Sequence, residues 1–340
     1  MVWTLILALI AQFSPAAHDT AASLGSIPVV DSVLVAAFSP QKAGFEVRFG
    51  DASTELRVMA MFVLPGERVP IEARDNLSGD ARTPAPPPAG YELVASGGNT
   101  HAQGLNRWDW VAPSMPGLYP MLVRDPRTGA LITLNVFVMT PYSAMHRGSL
   151  NGYRIGAYPN PRRGYEAEYA RPLGFVQVTP ELLDTQVSPH FTLGQFVCKQ
   201  SSDFPRYLVL REPLLAKLEQ LLATVNDRGI PARSFSIMSA YRTPSYNAAI
   251  GNVTIFSRHE YGDAADVFVD EDCDGLMDDL NHDGRHTIAD ARVLGSIVND
   301  LQGTPEFAGL LGGLGTYAAS PGHGPFMHVD TRGFSVEWGA

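Results

Sequence analysis

Apolar and polar residues alternate along GFEVRFG (44–50) and ELRVMAMFV (55–63). That two-residue period predicts strands with one face buried. Strand-like runs continue at RVPIEA (68–73), NRWDWVAP (106–113), GLYPMLVRD (117–125) and ALITLNVFVMTP (130–141). Turn residues separate them at Pro65-Gly66, Pro116-Gly117 and Arg127-Thr128-Gly129. Short strands with frequent turn signals predict an all-β sandwich or barrel over residues 25–141, with the proline-rich TPAPPPAG (83–90) as an exposed loop. Trp108 and Trp110 lie two apart and so share a strand face, as a core pair or as a carbohydrate platform. Residues 142–185 read as an irregular connector, rich in Gly, Pro, Arg and Tyr, whose aromatics predict packing on a domain.

From about residue 186 to 340 the period changes. Leu214, Leu215, Leu218, Leu221, Leu222 and Val225 follow helical spacing, Pro213 suits the first turn, and Gly229 suits the C-cap. A strand follows at SFSIMSA (234–240), and a second helix is predicted at ADARVLGSIVNDL. The whole chain therefore reads as multidomain, an all-β half followed by an α+β half. The order Trp-x-Trp-x-Ala-Pro, Pro-Gly-x-Tyr and a long last strand resembles bacterial immunoglobulin-like domains.

The N-terminus MVWTLILALIAQFSPAAHDT places a short apolar run before small residues, the layout of a secretory signal over residues 1–17. A membrane anchor or a buried strand is the alternative, but for an anchor the run is shorter than the about 20 residues that span a bilayer. Export to the periplasm or the medium is the expectation, with no membrane span after signal cleavage. The formal net charge of −10 excludes a general attraction for nucleic acid or anionic lipid. The two cysteines, Cys198 and Cys273, are expected to be unpaired.

Chemistry concentrates in the C-terminal half. SRHEYGDAADVFVD carries His259 and Asp266, with the small residues Gly262, Ala264 and Ala265 between them. GPFMHVDTRG carries His328, which on a strand shares its face with Phe326 and Asp330. Two imidazoles and one carboxylate make a zinc site with one position left open. The string Ser257-x-His259-x-x-Gly262-x-Ala264-x-Asp266 resembles the SxHxxGxAxD signature of the zinc D-alanyl-D-alanine carboxypeptidases and endopeptidases, peptidase family M15. SAYRTPSYN (239–247) and FMHVDTRG resemble its two other motifs, in the family's order.

The resemblance covers the C-terminal half and implies a hedgehog/DD-peptidase-like α+β domain that cuts peptidoglycan peptide. It implies His259, Asp266 and His328 as Zn2+ ligands, and Arg242, Ser257 and Tyr241 as substrate contacts. Asp330 becomes a candidate carboxylate behind a ligand. Many members place Glu, Asp or His two or three residues before the last ligand; here those positions hold Phe326 and Pro325, which leaves His323 as the candidate general base. A non-catalytic cell-wall binder that keeps the zinc-site fold is the alternative.

An acidic insert spans 270–300. Asp279-x-Asn281-x-Asp283-Gly284 followed by Asp290 fits a twelve-residue Ca2+ loop of the EF-hand type, with the Arg285 carbonyl as a further ligand. Asp270, Asp272, Asp274 and Asp278 start a second, less regular loop. A structural role for Ca2+ is the expectation.

Overall fold

The computed structural model describes residues 41–76, 90–161, 163–252 and 254–339. The expected signal segment, the start of the first domain and most of the proline-rich loop lie outside the described residues. The described chain is mostly strand, with few helices.

Nine strands build the N-terminal half: β1 (Lys42–Phe49), β2 (Ala52–Leu56), β3 (Val58–Val63), β4 (Arg68–Asp75), β5 (Glu92–Ala95), β6 (Asn99–Gly104), β7 (Arg107–Val111), β8 (Gly117–Arg124) and β9 (Leu131–Val138). They form a five-stranded sheet in the order β2-β1-β4-β7-β6 and a four-stranded sheet in the order β3-β9-β8-β5. Alternate residues of both sheets, such as Phe45, Val47, Ile71, Met61, Val123 and Leu134, are buried in the apolar core. The run ELRVMAMFV, expected as one strand, breaks at Arg57, and its two pieces join different sheets. Trp110 is fully buried and donates its indole N–H to Gly97 O at 2.9 Å, while Trp108 packs half-buried against the core. Trp110 is therefore a core residue, and Trp108 sits at the edge of that core, where it also lines a surface cavity.

The C-terminal half holds helices α1 (Glu212–Asp227), α2 (Pro244–Ala249) and α3 (Ile288–Gln302). The predicted leucine face of α1 is buried throughout. Beside the helices lies a second five-stranded sheet, in which Ser236–Ser239, Ala264–Phe268, Phe326–Asp330, Gly313–Tyr317 and Val336–Trp338 are successive neighbours. The last two run parallel and the other pairs antiparallel.

The connector packs as its aromatics predict. Tyr158 Oη donates to Glu260 O at 2.9 Å and lies 3.0 Å from Tyr241 Oη, and Tyr169 meets Tyr261 edge-on. The two halves share contacts as well: Asn135 Nδ2 donates to Gln186 O at 2.8 Å, and Phe62 N donates to the Glu212 carboxylate at 3.1 Å. Among the described residues no helix is long and apolar enough to cross a membrane. Cys198 is buried, Cys273 is exposed, and neither forms a disulfide.

Candidate metal centre

Sheet register brings two of the predicted ligands together. Asp266 on strand Ala264–Phe268 is the direct cross-strand partner of His328 on strand Phe326–Asp330. Directly opposed side chains sit close enough to share one ligand. Their flanks, Ala264, Ala265, Val267, Met327 and Val329, are fully buried, so the pair is anchored in the core.

His259 arrives from a short 3-10 turn, Arg258–Tyr261. Arg258 holds the turn: its guanidinium donates to both oxygens of Asp263 and to Glu168 O, and lies 5.0 Å from each of the Tyr169 and Tyr261 ring centres. The turn ends at Gly262, whose φ of +71° is left-handed. A Cβ there would fall 2.4 Å from Val209 O, so only glycine fits both the dihedral and the space. This accounts for the glycine three residues after His259.

Ligand atoms of His259, Asp266 and His328 lie within 4.8 Å of one another, and all three residues are buried. His259 Nε2 is 3.3 Å and His328 Nδ1 is 2.9 Å from Asp266 Oδ1, and the two ring nitrogens are 3.2 Å apart. The outward-facing nitrogens are also engaged. His259 Nδ1 lies 2.7 Å from Ala240 O, and His328 Nε2 lies 3.2 Å from Asp330 Oδ2. Each acceptor fixes a proton on the far nitrogen, which leaves the near nitrogen's lone pair for the shared point. Asp330, fully buried, is held in turn by Arg332, by the Gly313 N–H at 2.8 Å, and through its carbonyl by Lys217 Nζ at 2.8 Å.

The electrostatics fit a cation. Burial alone would raise Asp266 and Asp330, but their hydrogen-bonded imidazole and guanidinium neighbours hold both well below the ordinary carboxylate range. Burial pulls His259 below the ordinary histidine value. Burial acts the same way on His328, yet Asp266 and Asp330 on either side raise it to about 9. A divalent cation bound between His328 and Asp266 would displace the proton this pair favours, since metal binding displaces ligand protons. Two imidazole nitrogens and one carboxylate oxygen suit a borderline metal such as zinc better than a hard oxygen-seeking ion.

A cavity of about 440 Å³ opens on these three residues. Arg242 and Ser257 line it. Arg242 donates to the second oxygen of Asp266 at 2.5 Å and to Ser239 Oγ at 2.7 Å, so it orients the ligand as well as facing the cavity. Tyr241 does not line it: the side chain is buried beneath, with its hydroxyl against Tyr158. His323 is not brought to the metal group either. It lines a neighbouring cavity with Leu276 and Met277, where its Nδ1 lies 2.8 Å from Gly324 O. The Ser320–His323 bridge forms a tight turn, and the His323 ring meets Phe326 edge-on with centres 4.9 Å apart. Among the described residues, the only carboxylates and imidazoles lining the cavity that Arg242 lines are those of His259, Asp266 and His328. Sequence reasoning missed Tyr317, Arg332 and Trp338, which do line it. The aromatic pair in the otherwise small-residue strand GLGTY and in the chain's last strand was the available signal.

The acidic insert holds both loops. Asp270, Asp272 and Asp278 of the less regular loop gather their carboxylates within 4.8 Å. In the more regular loop, Asp279 accepts from the Asp283 and Gly284 N–H groups, and Asp283 from that of Arg285. Asp290, expected as the last Ca2+ ligand, is fully buried and accepts from the backbone N–H of Leu280, Asn281 and Thr287. With Thr287 it forms the capping box of α3.

No protein-family model, no curated protein and no solved structure matches the chain.

Proposed function

We propose that the C-terminal half is a zinc peptidase that hydrolyses peptide bonds in bacterial peptidoglycan, as a carboxypeptidase or an endopeptidase, in an exported protein. The observation that carries the reading is the buried convergence of His259, Asp266 and His328 on one point beside a cavity. The order of three M15-like motifs around those residues supplies the substrate class. An immunoglobulin-like N-terminal half and a hedgehog/DD-peptidase-like sheet belong to the same proposal.

Zinc held by His259, Asp266 and His328 supplies a Lewis acid and an acidified water. The chain's own residues do the rest. Ala240 O and Asp330 hold the two imidazoles in the tautomers that face inward. Arg242, fixed on one edge by Asp266 and Ser239, offers its remaining N–H groups to a substrate carboxylate or carbonyl. Ser257 stands in the cavity wall as a further polar contact. A second reading, a cell-wall binder without catalysis, is favoured by one specific observation: among the described residues no free carboxylate or imidazole lines the cavity to move a proton. Synthetic stem pentapeptide and cross-linked stem dimer, incubated with zinc-loaded and with chelated protein, separate the two. Zinc-dependent cleavage supports the peptidase; tight peptide binding without cleavage supports the binder.

The acidic insert is read as a structural Ca2+ site centred on Asp270, Asp272 and Asp278. Asp270 Oδ1 is buried without a hydrogen-bond partner, and Asp278 is raised by burial and by its acidic neighbours, both of which a cation would relieve. Asp270 lies just past the strand that carries Asp266, so the insert would steady that strand.

A further inference from the structure

We propose that Tyr317 is a catalytic hydrogen-bond donor of this site, its hydroxyl stabilising the oxygen that becomes negative when a peptide carbonyl is attacked; the inference rests on the peptidase reading above.

Placement comes from the sheet. Tyr317 pairs across the strands with Phe326, and Gly315 pairs with His328. Residues two apart on a strand share a face, so Tyr317, Gly315, Phe326 and His328 all face one way. Gly315 has no side chain to fill the space beside His328, and that space is taken by Trp338. A Cβ on Gly315 would lie 2.6 Å from Trp338 Nε1 and 3.0 Å from the Tyr317 ring. Gly313 makes the same allowance, its Cβ position lying 2.6 Å from Trp338 Cη2. Both rings therefore lie over a glycine groove, with the indole centre 5.1 Å from the His328 ring.

The pair is also rigid and polarised. Tyr317 stacks on Phe326 with centres 4.6 Å apart and planes 8° from parallel. Trp338 Nε1 donates to Tyr317 Oη at 2.6 Å, and Arg332 lies 5.1 Å from the Trp338 ring. A phenol that accepts one hydrogen bond becomes a stronger donor in the next. The Tyr317 proton meets no acceptor among the described residues, and the residue lines the metal cavity. A fixed donor with an unused proton beside a metal group is what stabilisation of a developing oxyanion requires.

In the step concerned, the water oxygen bonds to the carbonyl carbon as the π pair moves onto the carbonyl oxygen. When the C–N bond breaks, that pair re-forms the C=O bond and the nitrogen leaves with the C–N pair. One water proton goes to the amine and the other stays with the new carboxyl group. The Tyr317 proton is shared with the oxyanion in between and is not transferred, so the residue is needed in one protonation state only.

The test compares wild type, Tyr317→Phe and Trp338→Phe, each zinc-loaded. Two probes are titrated calorimetrically: a dipeptide phosphinate, whose tetrahedral anionic oxygens mimic the attacked carbonyl, and the free dipeptide product, which lacks them. For Tyr317→Phe the expected result is phosphinate affinity lower by about 10-fold or more, the scale of one hydrogen bond to a charged group. Product affinity, zinc stoichiometry and melting temperature stay unchanged, and kcat on stem peptide falls with KM within about threefold. Trp338→Phe, which keeps a ring but removes the N–H, gives a smaller loss in the same direction. Equal affinity of both probes for wild type and Tyr317→Phe overturns the assignment, as does an equal loss for both probes. If wild type neither binds the phosphinate nor cleaves peptide, the peptidase reading itself falls and takes this inference with it.

Discussion

Asp330→Asn changes one atom type behind His328, a proposed metal ligand. The Asp330 carboxylate accepts from Gly313 N, from Arg332 and from His328 Nε2. Asparagine can keep an oxygen toward Gly313 N and Arg332 Nε, but its NH2 then faces Arg332 Nη2 as well as His328 Nε2. The His328 nitrogen must become the acceptor, and the ring proton moves to Nδ1, the atom that faces the shared point. The variant thus favours the wrong tautomer and also loses the charge that makes the ring basic. Changes behind a ligand of this kind cost about 10- to 100-fold in metal affinity, or about 1.4–2.7 kcal/mol. Arg332 also loses its buried partner, which costs about 3 kcal/mol of stability, so the assay belongs well below the variant's melting temperature. Zinc affinity is measured by competition with a chromophoric chelator, with His328→Ala as the variant that removes a ligand outright. A zinc affinity of folded Asp330→Asn within about threefold of wild type would show that Asp330 does not orient His328, and the argument from tautomer would be refuted.

Other outcomes follow from the same structure. Gly262→Ala forces a side chain into a left-handed position and against Val209 O, so it loses about 2 kcal/mol or more in denaturant unfolding and releases zinc; wild-type stability would remove the argument for that glycine. Chelation of Ca2+ lowers the melting temperature, and Asp270→Asn abolishes the shift; an unchanged melting temperature on chelation refutes the structural role of the insert. Glu212, half-buried at the start of α1, is pushed up to about 6 by burial from its ordinary 4.5. The native state then holds the extra proton between those values, so this group's stabilisation is present below pH 4.5 and lost as pH rises through 6. Glu212→Gln is therefore expected to be more stable than wild type at pH 7.5, by about 1 kcal/mol after discounting for solvent, and equal to it at low pH; a variant no more stable at pH 7.5 contradicts the assignment.

Much of this arrangement was legible in the chain, because local spacing carried it. The leucines of α1 and the alternation in β1, β4 and β8 report burial directly. His259, Asp266 and His328 were legible as a group through the resemblance of their surrounding motifs to peptidase family M15, the spacing alone being too weak to join them. What failed to show depends on distant pairing. Strand β6, NTHAQG, is exposed along its whole length and has no apolar alternation to read. Arg57 sends β2 and β3 into different sheets, which a continuous alternating run does not reveal. Tyr317 and Trp338 meet only because Gly313–Tyr317 pairs in parallel with Val336–Trp338. His323 was chosen for nearness along the chain, and a tight turn carries it to another cavity. Asp290 fits two roles with one sequence signature, Ca2+ ligand and helix cap, and the described contacts include the cap.

The most direct test of the central claim is digestion of purified cell-wall sacculi by the zinc-loaded protein, with His259→Ala as control and the released muropeptides weighed. The account predicts new peptide products that require His259 and vanish on chelation, with masses that name the bond. Sacculi left intact by a protein carrying stoichiometric zinc would contradict it.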